Sequence, residues 1–290
     1  MATARLHDGS EIDVTVMGES DRPAVLLPIG TRVIDGPAAD ELRAWGADPN
    51  LGHTLATALT GGDMGLRVIA ADYESHLTDH PKPRTLTAAN VAADLLAIAD
   101  AAEAPRFAYY GYSWLALAGL QLAIRTDRLT ALAMGGYPPL DGPYGAMLAV
   151  TRVAYRMSLN PPVPTGDPVA GDWDSVPFTR TPDQTEQYVT LYESLQDFDD
   201  HTAAATLLIP RLAFAGEKDT IAYGPQWDNL TVDLAGPLIT HRDELTALGW
   251  TVEIIPGADH MSAMQSDRVL PILRPWLRAN RHGGTGARPA

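Results

Sequence analysis

The chain has 290 residues, enough to bury a large core in one catalytic domain carrying an insertion, and 46% of them are hydrophobic, the ordinary globular share, which argues against a disordered chain. Its 36 acidic against 21 basic side chains leave a net charge of −15, which repels nucleic-acid phosphates and anionic lipid headgroups and tolerates or attracts a cationic small molecule. No cysteine is present, which excludes disulfides, thiol catalysis and thiolate metal sites; neither a secretory leader nor a membrane-length apolar run is legible, so a cytoplasmic protein is expected.

Arg5 to Val16 reads as a hairpin, with Asp8-Gly9 as turn and Ile12, Val14 and Val16 alternating after it. Ala24 to Leu27 is a continuous apolar run ending in Pro28-Ile29-Gly30, which suits a buried parallel strand and a tight turn. Arg32 to Asn50 is longer than a simple loop and lies beside that turn, where it can border a pocket. Val68 to Ala71 is a second such strand, Leu86 to Ala102 has helical periodicity, and Arg106 to Tyr110 is a strand that meets a turn at Gly111. Trp114 to Arg125 is a helix of small residues, and Ala131 to Met134 is again a strand. Strands therefore alternate with helices from Ala24 to Gly136, the signature of a parallel sheet covered on both faces.

The rhythm breaks at Pro138. Up to Thr206 no strand is legible, and two helical patterns, Tyr144 to Leu159 and Asp183 to Phe198, flank a Pro/Gly-rich loop from Asn160 to Asp172. Strand, helix and strand resume at Leu212 to Ala215, His241 to Leu248 and Val252 to Ile255, and a last helix spans Ser262 to Asn280. The expected organisation is an α/β core from residues 1–137 and 206–281, an inserted helical cap at 138–205, and a flexible glycine-rich tail at 282–290.

The chemistry lies at three strand ends. In Tyr109 to Gly119 a strand runs into Gly111-Tyr112-Ser113 and a helix follows at once, the context of a nucleophile elbow. Such a turn lifts a serine above the sheet at a helix N-terminus, where free N–H groups favour developing negative charge. Of eight histidines, only His260 directly follows the last strand, after Pro256-Gly257, so it is the candidate general base. Asp219, past the strand at Leu212 to Ala215, is the candidate orienting acid; Glu217 is a weaker one and Asp141, before the cap, the main alternative. The order Ser113, Asp219, His260 is that of a triad on a parallel sheet.

On these motifs the chain resembles the α/β-hydrolase superfamily from the hairpin to the last helix. The resemblance implies a mostly parallel sheet with an inserted helical cap, a triad of Ser113, Asp219 and His260, and an oxyanion hole from the backbone N–H groups of Thr31 and Trp114. It implies no metal or organic cofactor. Ile29 stands where the family's turn usually has His, and Leu115 replaces the second Gly of Gly-x-Ser-x-Gly. Relatives that open epoxides or alkyl halides carry an aspartate at the elbow, so Ser113 argues against both. The elbow together with Met134 to Pro139 is also similar to serine-dependent macrolide esterases, which implies a bulky lactone substrate.

The segment Pro138 to Thr206 carries ten acidic and three basic residues, a net of −7. A solvated helical surface accounts for this; a gate that draws a cationic ester or lactone is the sharper reading. Its Tyr144, Met147, Tyr155, Met157, Tyr188 and Tyr192 suit a core first and a pocket lining second. The same triad serves esterases, thioesterases, amidases and carbon–carbon hydrolases, and the fold also serves ligand-binding proteins without turnover.

Overall fold

Strand β1 (Ala2–Arg5) turns back through Asp8-Gly9 into β2 (Glu11–Met17), with which it pairs antiparallel. The structure, a computed structural model, describes residues 2–162, 169 and 172–281; the expected tail at 282–290, and most of the expected loop at Asn160 to Asp172, lie outside the described residues. The turn is held by an ion pair between a buried lysine and a partly exposed aspartate: Lys82 Nζ, with a side chain 0% exposed, sits 2.5 Å from Asp8 Oδ2 and donates to Ser10 Oγ.

The apolar run β3 (Ala24–Leu27) is followed by α1 (Gly36–Ala44) and α2 (Leu51–Thr60), both within or just past the stretch left open by sequence. Then come β4 (Arg67–Ala70), α3 (Tyr73–Asp79), α4 (Ala88–Ala101), β5 (Phe107–Tyr112), α5 (Trp114–Ala123) and β6 (Leu129–Gly135). Helices α6 (Tyr144–Leu159), α7 (Pro182–Glu193) and α8 (Asp200–Thr206) separate β6 from β7 (Arg211–Gly216), and no strand lies between them among the described residues. A small hairpin of β8 (Thr220–Ala222) and β9 (Thr231–Asp233), not anticipated from sequence, precedes α9 (Ala235–Thr240), α10 (Arg242–Ala247) and β10 (Trp250–Ile255). The chain closes with α11 (His260–Ala263) and α12 (Ser266–Ala279).

The eight-stranded sheet has the order β1-β2-β4-β3-β5-β6-β7-β10, parallel from β4 to β10. After β3 the chain adds β4 on one side, then returns to place β5 on the other. That reversal opens a crevice at the carboxyl ends of β3 and β5, where an open parallel sheet binds ligands. Alternate strand residues feed two apolar layers, Leu26 and Tyr109 with α4 and α5 on one face, Val25, Leu27 and Tyr110 with α2 and α12 on the other.

Two expected helices differ in extent. The one expected over Asp183 to Phe198 ends at Glu193; Phe198 belongs to a turn whose N–H returns to Leu195, and Asp199 caps α8 by accepting from Thr202 N. The one expected over Ser262 to Asn280 divides at Gln265, which is extended (φ −63°, ψ 146°) and whose side-chain amide donates to the Gly46 carbonyl. No described helix is long and apolar enough to cross a membrane.

Candidate active site

β5 delivers Tyr112 and Ser113 to the crevice. Ser113 has φ 56° and ψ −134°, a left-handed backbone that a non-glycine residue adopts only when its surroundings impose it. Its N–H donates to the Gly135 carbonyl (2.8 Å), and its carbonyl accepts from Ala116 N (2.8 Å), so β6 and the first turn of α5 fix the bend. A Cβ on Gly111 would lie 2.3 Å from the Leu115 carbonyl oxygen, and one on Gly119 would lie 2.4 Å from the Tyr109 ring. Only hydrogen at these positions lets α5 start this close to β5. The Tyr109 hydroxyl donates to the Leu115 carbonyl (2.7 Å), so Leu115, at the position of the missing second glycine, is part of the brace.

His260 is the first residue of α11. Asp259 caps that helix, accepting from Ser262 N (2.8 Å) while Ser262 Oγ accepts from Asp259 N (2.9 Å). The Tyr112 hydroxyl donates to the His260 carbonyl (2.8 Å), with ring centroids 5.2 Å apart, joining the strand before Ser113 to the imidazole 148 residues on. Burial drives the Tyr112 hydroxyl pKa far up and keeps it a neutral donor.

Ser113, Asp219 and His260 meet. His260 Nε2 lies 3.1 Å from Ser113 Oγ, and His260 Nδ1 lies 2.8 Å from Asp219 Oδ1 and 3.1 Å from Oδ2. The Asp219 side chain is 0% exposed, and its backbone carbonyl accepts from Leu234 N and Ala235 N, so the β9–α9 junction holds the loop. Glu217 Oε2 accepts from Gly257 N instead, and Asp141 faces His201 and His241 rather than His260. Trp114 opens α5, where its N–H precedes the intrahelical ladder, and Thr31 follows β3, the strand paired with β5.

Two cavities lie nearby, one reaching Trp114 and the other His260. One, of about 420 Å³, is lined by Trp114, Met157, Trp173, Phe178 and Tyr188, with Glu74 and Arg180 as its charged groups. The other, of about 610 Å³, is lined by His260, Met261 and Ala222 on one side and by Leu42 to Ala47 on the other, with Trp173 shared. Of the aromatic and methionine residues expected in the cap, Met157 and Tyr188 line the first cavity while Tyr192 is buried in the core. Glu74 was missed from sequence. Its carboxylate accepts from Trp114 Nε1 (2.7 Å) and opens to the cavity, yet surrounding protein pushes its pKa up, with Asp72 adding to this and the Trp114 N–H and Arg180 opposing it. Tyr188 stands edge-on to Trp114 at 5.6 Å and completes that wall. Neither partnership leaves a local signature, because each joins different segments.

No protein-family model matches the chain, and comparison with curated proteins finds no match. Solved structures do match. An enol-lactonase from Burkholderia xenovorans LB400 is 18% identical, with 95% of this chain and 99% of that one covered at a TM-score of 0.59. A thermophilic esterase from Thermogutta terrifontis is 18% identical, covering 97% and 98% at 0.56. Epoxide hydrolase A from Mycobacterium thermoresistibile is 17% identical, covering 95% and 97% at 0.55. Likeness of this extent, with the sheet order above, establishes the α/β-hydrolase fold.

Proposed function

We propose that this chain is a serine hydrolase of carboxylic esters. Ser113 is the nucleophile, His260 the general base and acid, Asp219 the orienting carboxylate, and the Thr31 and Trp114 N–H groups the oxyanion donors. The observation that carries the reading is the His260 bridge, 3.1 Å to Ser113 Oγ and 2.8 Å to Asp219 Oδ1. With Nδ1–H given to the carboxylate, Nε2 is left as the acceptor for the serine proton. Ser113 Oγ attacks the ester carbonyl carbon as its proton passes to Nε2. The imidazolium then protonates the departing alkoxide, leaving an acyl-enzyme. A water gives its proton to Nε2 and attacks the acyl carbon, and Ser113 leaves with the proton.

Support for an ester or lactone comes from the similarity to an enol-lactonase and an esterase. The segment 138–205 is proposed as a cap, since Met157, Trp173 and Tyr188 from it form the wall facing Trp114. Cavities of about 420 Å³ at Trp114 and about 610 Å³ at His260 suit a bulky, largely apolar substrate. A macrolide lactone, with or without an amine, is the narrower proposal and rests on the sequence resemblance.

Turnover of nitrophenyl esters by the wild type, absent from Ser113→Ala, tests the hydrolase. No turnover of any ester or thioester by pure, folded protein sinks it and favours a ligand-binding role. Incubation with an aminated and a deaminated macrolide tests the substrate: gain of one water by either supports it, and no gain by both removes the macrolide while leaving the hydrolase standing.

A further inference from the structure

Asp141, the carboxylate that does not reach His260, lies in a second cluster. Its Oδ1 is 2.9 Å from His201 Nε2 and its Oδ2 is 2.7 Å from His241 Nε2. Asp200, next to His201 on α8, is 5% exposed; its Oδ2 accepts from Gly142 N (2.9 Å) and the Tyr144 hydroxyl (3.1 Å), which fixes the carboxylate and leaves Oδ1 without a hydrogen bond among the described residues. One ligand atom from each of Asp141, Asp200 and His201 falls within 4.8 Å of the others. Donors about 2 Å from a shared ion stand closer than that, so closure falls to the exposed side chains of Asp141 and His201, which move toward the fixed Asp200. His241 lies outside that group of three, its Nε2 2.7 Å from Asp141 Oδ2.

The outer contact of His241 matches that of metal-binding imidazoles, which hold their second ring nitrogen on a carboxylate. His241 Nδ1 is 2.8 Å from Glu244 Oε2, and His201 Nδ1 is 3.7 Å from Glu244 Oε1. Glu244 thus backs the His241 ring and only approaches that of His201. Three carboxylates meet two imidazoles here, and among the described residues none of the three pairs with lysine or arginine. A divalent cation would neutralise that excess.

We propose that Asp141, Asp200 and His201 bind a borderline divalent transition-metal ion such as Zn²⁺, with His241, oriented by Glu244, swinging in as the fourth donor. Mixed imidazole and carboxylate donors select Zn²⁺ or Ni²⁺ over the all-oxygen preference of Mg²⁺. The donors come from the chain leaving β6, from α8 just before β7, and from the α9–α10 junction. The ion therefore clamps both ends of the helical segment to the sheet.

The test is calorimetric titration of Zn²⁺ and, separately, Mg²⁺ into the full chain after chelator treatment and dialysis, with thermal melting alongside. The expected result is one Zn²⁺ site that raises Tm and takes no Mg²⁺. His201→Ala and His241→Ala weaken it at least about tenfold and abolish the rise, and Glu244→Gln weakens it by about tenfold. Should either alanine variant fail to fold, Asp141→Asn stands in. His260→Ala retains the site, which separates it from the triad. No Zn²⁺ binding by the wild type, wild-type affinity in both histidine variants, or equal binding of Mg²⁺ would overturn the proposal.

Discussion

Replacing Asp219 by Asn keeps the shape of the side chain and changes its charge and hydrogen-bonding sense. The carboxylate lies 2.8 Å from His260 Nδ1 with no solvent exposure, so it accepts a hydrogen bond from Nδ1–H and, in the proposed mechanism, faces the imidazolium that forms when Ser113 is deprotonated. Unit charges about 4 Å apart at an effective dielectric near 20 interact by about 4 kcal/mol. Losing that from the transition state slows the reaction about a thousandfold. The amide also turns N–H donors toward Nδ1, which favours the tautomer protonated at Nε2 and withdraws the acceptor from Ser113. The two effects together predict a fall in kcat of about ten-thousandfold, with KM little changed. The assay is steady-state hydrolysis of a nitrophenyl ester, with circular dichroism to verify folding and Asp141→Asn and Glu217→Gln as comparators. Retention of a tenth of wild-type activity by Asp219→Asn, or an equal loss in Asp141→Asn, would refute this placement of the acid.

Gly111→Ala puts a methyl 2.3 Å from the Leu115 carbonyl and is expected to cost about 1–3 kcal/mol in urea denaturation and to depress activity; wild-type values for both would contradict the tight elbow. Tyr112→Phe removes the hydrogen bond to the His260 carbonyl and should lower stability by about 1 kcal/mol and kcat by less than about tenfold, read from paired melts and kinetics; loss of all activity would assign the hydroxyl a larger part. Burial alone would raise the Asp8 carboxyl, but hydrogen bonds from Lys82 and Ser10 hold it well below the usual range. Asp8→Asn strands the buried Lys82 ammonium and should cost about 3 kcal/mol at pH 7. A depressed carboxyl stabilises above its unfolded pKa of about 4 and loses that contribution as pH falls through the folded value, so the gap between wild type and variant should close on acidification; a gap constant with pH contradicts it.

The apolar runs at β3, β4, β5, β6 and β7 were legible because strands buried on both faces are nearly continuously hydrophobic, β10 was legible from the alternation of Trp250 and Val252 with exposed Thr251 and Glu253, and α6 was legible to both ends. Short polar elements were not. In α3 only Tyr73, His76 and Leu77 are buried, and in α1 only Ala39, too few to set a period against the loops around them. β8 and β9 are three residues each, too short to show an alternation, and β8 directly follows Asp219. The meeting of Ser113, Asp219 and His260 was foreseeable because each follows the end of a strand in one parallel sheet, so topology alone draws them to one edge. The braces around them were not, since Tyr112 and His260 are 148 residues apart and Glu74 and Trp114 are 40 apart, distances that only the folded chain closes. The partners of Asp141 are hidden for the same reason: His241 lies 100 residues away on a helix junction.

The central claim is that Ser113 is activated by His260. It is tested most directly by exposing the protein to a fluorophosphonate and locating the adduct by peptide mass spectrometry. The account predicts a single adduct on Ser113, formed rapidly by the wild type and lost in His260→Ala while that variant remains folded. Labelling of another residue, no labelling at all, or labelling of Ser113 at the same rate without His260 would contradict it.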